Sequence, residues 1–245
     1  MIEDFNQLEG YEPIKEIVQL IENRLDDFAA SSTLRKQTAK TTGEGQHSTA
    51  YFKFMSKEDS IYSFCREVSQ KGSSSVDFGI YDKDTDDLMF TVEAKVLPTP
   101  KKGNRDEHEY IYRNQGNGAA IERFKHEFHG LDDNKDLLPH NAILAYIKEE
   151  DYKYWLEKIN GWIKDSNWNK ESLYLKFFSE EIIKNHQMDF KELVKKSVLI
   201  ENTTENLKLK YSTKENILQS VHRRKSGATV HLHHFWIIVP NLKKK

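Results

Sequence analysis

The sequence predicts an α/β fold: a mixed sheet flanked by helices, with extra helices and strands at its C-terminal end. Three observations predict it. Residues 76–97 place two β-branched and aromatic runs around a cluster of Asp, Lys and Thr, which is the pattern of an antiparallel hairpin. Residues 141–147 form a nearly continuous apolar run, as expected of a central strand. Residues 12–29 and the segment from Asp151 carry apolar side chains at helical spacing. A length of 245 residues suits one large domain or a domain with additions, and 37% hydrophobic with 31% charged residues is a globular composition with a very polar surface. A net charge of −2 neither demands nor excludes a nucleic-acid partner, because local basic surface matters more than the total. No apolar run approaches the ~20 residues that span a bilayer, and the acidic start is unlike a secretory signal. The single Cys65 cannot form an internal disulfide, so the expectation is a reducing cytoplasm and no membrane.

The elements follow in order. Ile14, Ile17, Val18, Ile21, Leu25 and Phe28 make one face of a helix that starts at Pro13. Residues 30–49 are rich in Ser, Thr, Lys and Gly and predict a basic mobile loop, whose Arg35, Lys36 and Lys40 are either phosphate grips or a solubilising linker. Ile61, Phe64, Cys65 and Val68 predict a helix over 57–70 with Ser56 as N-cap, Cys65 in the core and Glu67 on the helix edge. Residues 71–75 break it and lead into the hairpin. Pro98 and Pro100 stop the second strand, and Lys101, Lys102 and Arg105 follow in a basic loop. Residues 115–129 predict a helix packing through Ala119, Ala120, Phe124 and Phe128, with Arg123 and Lys125 solvated.

Beyond the central strand, Tyr152, Trp155, Leu156, Ile159, Trp162 and Ile163 predict an aromatic-rich helix. Further helical pieces over 170–196 and strands at 197–201 and 207–211 are expected next. Residues 214–225 read as a helix ending in His222, Arg223, Arg224 and Lys225, a run that suits either a phosphate clamp or complementation of the helix dipole. The final strand, 229–239, puts His231 and His233 on one face; a Zn²⁺ pair is conceivable, but no further ligands stand at suitable spacing. This divides the chain into an N-terminal helix and loop (1–56), a core (57–148) and a C-terminal extension packed on it (149–245).

The hairpin sorts chemistry by face. With its turn near Thr85, residues whose numbers sum to about 170 oppose each other, so Asp77 faces Glu93 and Ile80 faces Phe90. Alternation then sends Val76, Phe78, Ile80, Phe90, Val92, Ala94 and Val96 to one face and Asp77, Gly79, Thr91, Glu93 and Lys95 to the other. Like charges opposed on a sheet destabilise it, and a shared cation would relieve that cost. Oxygen-only ligands favour Mg²⁺ or Mn²⁺, and a nearby ammonium can position an attacking water or stabilise developing charge.

Asp77, fifteen intervening residues and then Glu93-Ala94-Lys95 resemble the signature of the PD-(D/E)XK nuclease superfamily, with Val76 at the position of its Pro. The resemblance covers roughly residues 57–148 and implies a restriction-endonuclease-like core of a helix, three strands, a helix and a further strand. It implies metal ligation by Asp77 and Glu93, catalytic assistance by Lys95, and Glu67 as the helix-borne carboxylate of the metal site. Gln115 is the weaker expectation for a supporting polar residue on the second helix. Mg²⁺-dependent hydrolysis of DNA is then the expected activity, endonucleolytic and in the setting of bacterial restriction or anti-phage defence. Lys101, Lys102, Arg105, Arg223, Arg224 and Lys225 are the candidate nucleic-acid contacts, and a homodimer or a partner subunit of a defence system the expected assembly. The rival expectations are an inactive binding module on the same fold and an immunity or antitoxin-type protein whose acidic hairpin mimics phosphate.

Overall fold

Alternation along the hairpin sets the layers of the molecule. The computed structural model describes residues 12–40, 43–58, 60–100, 105–112, 119–164, 182–185 and 214–239. Strands β1 (Tyr62–Ser69), β2 (Ser75–Asp82) and β3 (Leu88–Leu97) form an antiparallel meander, and β4 (His140–Ile147) joins β3 in parallel. β5 (Lys184–Asn185), β6 (Ile217–Arg223) and β7 (Thr229–Ile238) complete a seven-stranded sheet in the order β1-β2-β3-β4-β7-β6-β5. β7 runs parallel to β4 and antiparallel to β6, so the sheet is mixed.

Helices cover both faces. On one face α1 (Glu12–Ala30), α2 (Ser32–Lys40) and α3 (Glu44–Met55) bury Ile17, Leu25, Phe28, Tyr51 and Met55 against Phe78, Ile80, Phe90, Val92, Ala94 and Val96. The opposite face packs Ile143, Ala145, Leu232 and Trp236 against Tyr110, Ile111, α4 (Ala120–Lys125) and α5 (Tyr152–Lys164). β4 lies between the two cores and is buried along its whole length, as its unbroken apolar run requires. Among the described residues no helix is long and apolar enough to cross a membrane.

From Phe78 to Ile80 the hairpin register is the expected one. Phe78 pairs with Val92, Gly79 with Thr91 and Ile80 with Phe90; beyond them the register shifts, so that Tyr81 meets Leu88. α1, β4, α5 and β7 also form where the sequence predicts them.

Three segments differ. Within residues 57–70 strand β1 (Tyr62–Ser69) stands in place of a helix, Ser56 caps the end of α3, and Cys65 is exposed. The spacing of Ile61, Phe64, Cys65 and Val68 satisfies a helical period, but Tyr62 and Phe64 also alternate, and pairing with β2 decides between the readings. The expected loop over 30–49 instead contributes α2 and α3. Its Gly, Ser and Thr residues are poor helix formers, yet α3 buries His47, Ser48, Ala50, Tyr51 and Met55 against the sheet, and tertiary packing outweighs propensity. Residues 217–223 form strand β6, hydrogen-bonded to β7 along its length, so His222 to Lys225 does not end a helix. The expected helix over 115–129 is shorter, Ala120–Lys125. The expected strands at 197–201 and 207–211 lie outside the described residues.

A tight turn ties α4 to the sheet. The amides of Phe128 and His129 both donate to the Arg123 carbonyl, at 2.9 and 3.2 Å, and Gly130 follows at φ +79°. A Cβ at Gly130 would lie 2.9 Å from the Asn141 side chain, whose Oδ1 accepts from Thr91 Oγ1 at 2.6 Å in the sheet. Gly130→Ala should therefore lower stability by about 1 to 2 kcal/mol in urea denaturation. Gly161→Ala, in exposed helix with nothing near its Cβ position, should raise it by about 0.5 to 1 kcal/mol in the same measurement.

Candidate active site

The polar face of the hairpin opens into a cleft of about 440 Å³ lined by Glu44, Glu67, Ser75, Val76, Asp77, Glu93, Lys95, Arg105, Glu109 and Arg123. β3 presents Glu93 and Lys95 on the face opposite Ala94 and Val96, and both are buried, 2% and 5% exposed. Glu93 Oε1 accepts from Lys95 Nζ at 2.7 Å and from Arg123 Nη1 of α4 at 3.0 Å. Glu93 Oε2 is buried without a hydrogen bond and faces His129 Nδ1 at 3.4 Å. Asp77 Oδ2 accepts the Ala94 amide at 2.8 Å, which fixes its carboxylate at the rung next to Glu93.

Other elements close the cleft. The N-terminus of α3 brings Glu44, whose Oε1 lies 3.9 Å from Lys95 Nζ. Arg105 holds Glu109 Oε2 through Nε and Nη2, at 2.7 and 2.6 Å, and its Nη2 lies 3.6 Å from Glu44 Oε2. Glu67 stands in β1 at a left-handed φ of 54°, with its side chain 73% exposed and 3.3 Å from Arg66 Nη2.

Five carboxylates (Glu44, Glu67, Asp77, Glu93, Glu109) thus share the cleft with three cations (Lys95, Arg105, Arg123). Burial, and then the Glu93 charge, push the Asp77 carboxyl up to about 7. Burial also works against charge on Glu93, but the Lys95 and Arg123 cations overcome it and hold its pKa below the usual carboxylate range. Lys95 shows the mirror case: burial opposes its charge, while Glu93, Glu44 and Asp77 raise its pKa above that of a free lysine. His129 is pushed down to about 4, chiefly by burial, and is neutral at pH 7. The pair Glu93 and Lys95 is therefore ionised, whereas Asp77 is poised between its two forms.

The structure brings Asp77, Glu93, Lys95, Glu67 and Arg105 of the predicted residues to one cleft. Glu67 arrives on a strand, not on a helix, and Arg105 is engaged by carboxylates. Lys101, Lys102 and Gln115 lie outside the described residues. Arg223, Arg224 and Lys225 do not line the cleft, and Arg224 is buried, donating to the Leu138 carbonyl at 2.5 Å. Burial lowers its pKa to about 10, the reverse of what a solvated phosphate clamp would show. Arg123 and Lys125, expected to be solvated, are a half-buried Glu93 partner and a buried residue.

Sequence reasoning missed Glu44, Glu109 and His129. A signal existed for the first: His47, Ala50, Tyr51 and Phe54 continue a helical spacing downstream of Glu44. No comparable pattern marks Glu109 or His129.

His231 and His233 share a face, as alternation requires, and His140 joins them, its Nδ1 3.2 Å from His233 Nε2 and its ring stacked on His231 at 4.7 Å. Among the described residues no three His, Cys, Asp or Glu side chains converge closely enough to hold a metal ion, in this cluster or in the cleft. The donors of the cleft nevertheless fit a hard divalent cation that keeps most of its waters: they are oxygens, and Glu93 Oε2 is buried with no hydrogen bond. No family model, curated protein or solved structure matches the chain.

The Asp77 shift carries a pH signature. A carboxyl whose native pKa lies near 7, against about 3.9 unfolded, binds more protons in the native state between those values, so stability falls as pH rises through that window. Without divalent ions, Asp77→Asn should be more stable than the parent at pH 8 by about 1 to 3 kcal/mol, discounted for a half-buried side chain, and the gain should shrink toward pH 5. Urea midpoints at the two pH values in EDTA measure this.

Proposed function

We propose that the chain is a metal-dependent nuclease that hydrolyses phosphodiester bonds, with DNA the favoured substrate and endonucleolytic cutting the favoured mode. The observation that carries this reading is the convergence of Asp77, Glu93 and Lys95 in one acidic cleft, with a buried Glu93 oxygen left without a hydrogen bond. The order α3, β1, β2, β3, α4, β4 supports it further, since a helix, three strands, a helix and a strand is the order expected of a restriction-endonuclease-like core. On this alignment the helix-borne carboxylate is Glu44, in place of Glu67.

Asp77 and Glu93 would hold Mg²⁺ or Mn²⁺, with Glu44 in the same cleft. Such an ion, when bound, supplies a water of lowered pKa and neutralises charge on the scissile phosphate. The remaining roles fall to the chain itself. Lys95 is held protonated and immobile by Glu93, so its ammonium can orient the attacking water or meet charge developing on the phosphate. Arg123 fixes the Glu93 carboxylate from the opposite side. The excess of carboxylates would repel a phosphate backbone, which makes substrate binding in the cleft dependent on the cation. Bacterial restriction or anti-phage defence is the setting this activity suits, as a homodimer or with a partner subunit.

Incubation with plasmid and linear DNA, with and without Mg²⁺, tests the reading. Cleavage should require the ion and be abolished in Asp77→Ala and Glu93→Ala. Lys95→Ala should lose about 10²- to 10⁴-fold in turnover while DNA binding persists, and Lys95→Arg should rescue poorly, because a planar fork does not replace a compact ammonium. Metal-independent DNA binding with no cleavage in Mg²⁺ or Mn²⁺ would instead identify an inactive nuclease-fold module. Failure to bind either DNA or metal would leave the acidic cleft as a docking face for a basic protein, as in an immunity or antitoxin-type partner.

A further inference from the structure

Behind Glu93 lies a histidine that the proposed reaction leaves without a task. His129 is fully buried, and neither of its ring nitrogens has a hydrogen bond. Its Nδ1 lies 3.4 Å from Glu93 Oε2, itself a buried atom without a hydrogen bond, so two unsatisfied groups face each other across a short gap. The charged groups around the ring are Glu93, Arg123 and Lys95. Arg and Lys can only donate, so Glu93 is the one acceptor among them for an imidazole N–H. The backbone and a neighbouring ring hold the imidazole in place: the His129 amide is tied to the Arg123 carbonyl, and its ring stands T-shaped to Phe124 with centroids 5.8 Å apart.

We propose that His129 is a positioning residue for the candidate metal ligand Glu93, donating Nδ1–H to Oε2 so that the carboxylate keeps one lone pair for the cleft. The inference rests on the nuclease reading above. A carboxylate offers about four lone-pair sites. Lys95 and Arg123 occupy the two on Oε1, His129 takes one on Oε2, and a single site remains. Glu93 is then confined to ligation through one oxygen. That suits Mg²⁺ and Mn²⁺, which take near-octahedral geometry, and works against Ca²⁺, which readily accepts both oxygens of a carboxylate.

Titration of the purified chain with Mn²⁺, read by the paramagnetic resonance of the free ion, tests this, with Ca²⁺ as competitor and a thermal melt on each variant as the folding control. His129→Leu should weaken Mn²⁺ binding by about 10- to 100-fold and narrow the discrimination against Ca²⁺. His129→Asn, whose amide N–H stands where Nδ1 stood, should restore most of the affinity, whereas His129→Gln, which reaches the Nε2 position, should not. Nitrogen-15 spectra of the imidazole give a reading independent of metal: the Nδ1–H tautomer is expected, and the Nε2–H tautomer would overturn the proposal. So would folded Leu and Asn variants that bind Mn²⁺ as the parent does. A parent that binds no Mn²⁺ defeats the metal site itself, and with it any role for His129 in ligation; a parent that binds while the variants are indifferent defeats only His129.

Discussion

Glu93 lies in the interior of β3 with its carboxylate almost wholly shielded from water, and a charge in that position must be compensated before the sheet can be covered. Its compensation comes from three directions. Lys95 sits two residues along the same strand and face, Arg123 reaches down from α4, and His129 closes the space behind. Taking two ions out of water costs several kcal/mol per ion, which their attraction offsets only with good geometry and further hydrogen bonds. The short α4, the turn that returns Phe128 and His129 to the Arg123 carbonyl, and the left-handed Gly130, where only a residue without Cβ clears the Asn141 side chain, form the scaffold that holds this geometry.

The same constraint accounts for the asymmetry of the cleft. Lys95 answers to three carboxylates, and Glu93 is matched by two cations, so both stay ionised. Asp77 receives only a backbone amide and a more distant ammonium, against burial and a neighbouring carboxylate. Neighbouring carboxylates in such unequal surroundings separate into a permanently charged one and one that titrates near neutrality. In the nuclease reading, a divalent cation held by these carboxylates would lower the cost of charging Asp77.

Much of this was legible before folding. Period-two alternation separated Phe78, Ile80, Phe90, Val92, Ala94 and Val96 on the core face from Asp77, Glu93 and Lys95 in the cleft, and the pairs Phe78 with Val92 and Ile80 with Phe90 follow from the same count. The apolar run of β4 and the helical stripes of α1 and α5 were equally plain. What escaped were segments whose local preference is weak or divided. β1 satisfies helical and strand periods alike, and only its place beside β2 selects the strand. α3 has Gly, Ser and Thr where a helix would carry Ala or Leu, and the stability of that helix comes from the sheet it covers. The basic run at 222–225 looked like a surface clamp, but the turn between β6 and β7 folds Arg224 inward onto the Leu138 carbonyl.

By itself the sequence determined the polar face of the hairpin and the nearness of Asp77, Glu93 and Lys95, because side-chain direction along a strand alternates whatever surrounds it. Only the tertiary structure decided that Glu44, Arg105, Glu109, Arg123 and His129 close around them. These residues come from elements before and after the hairpin, separated from it by as many as tens of residues. Their approach depends on how α3, α4 and the loop carrying Glu109 pack on the sheet, which no periodicity records. The pKa of Asp77, the fixed charge of Lys95 and the neutral state of His129 likewise belong to the folded chain, since each follows from burial beside partners that the linear order keeps apart.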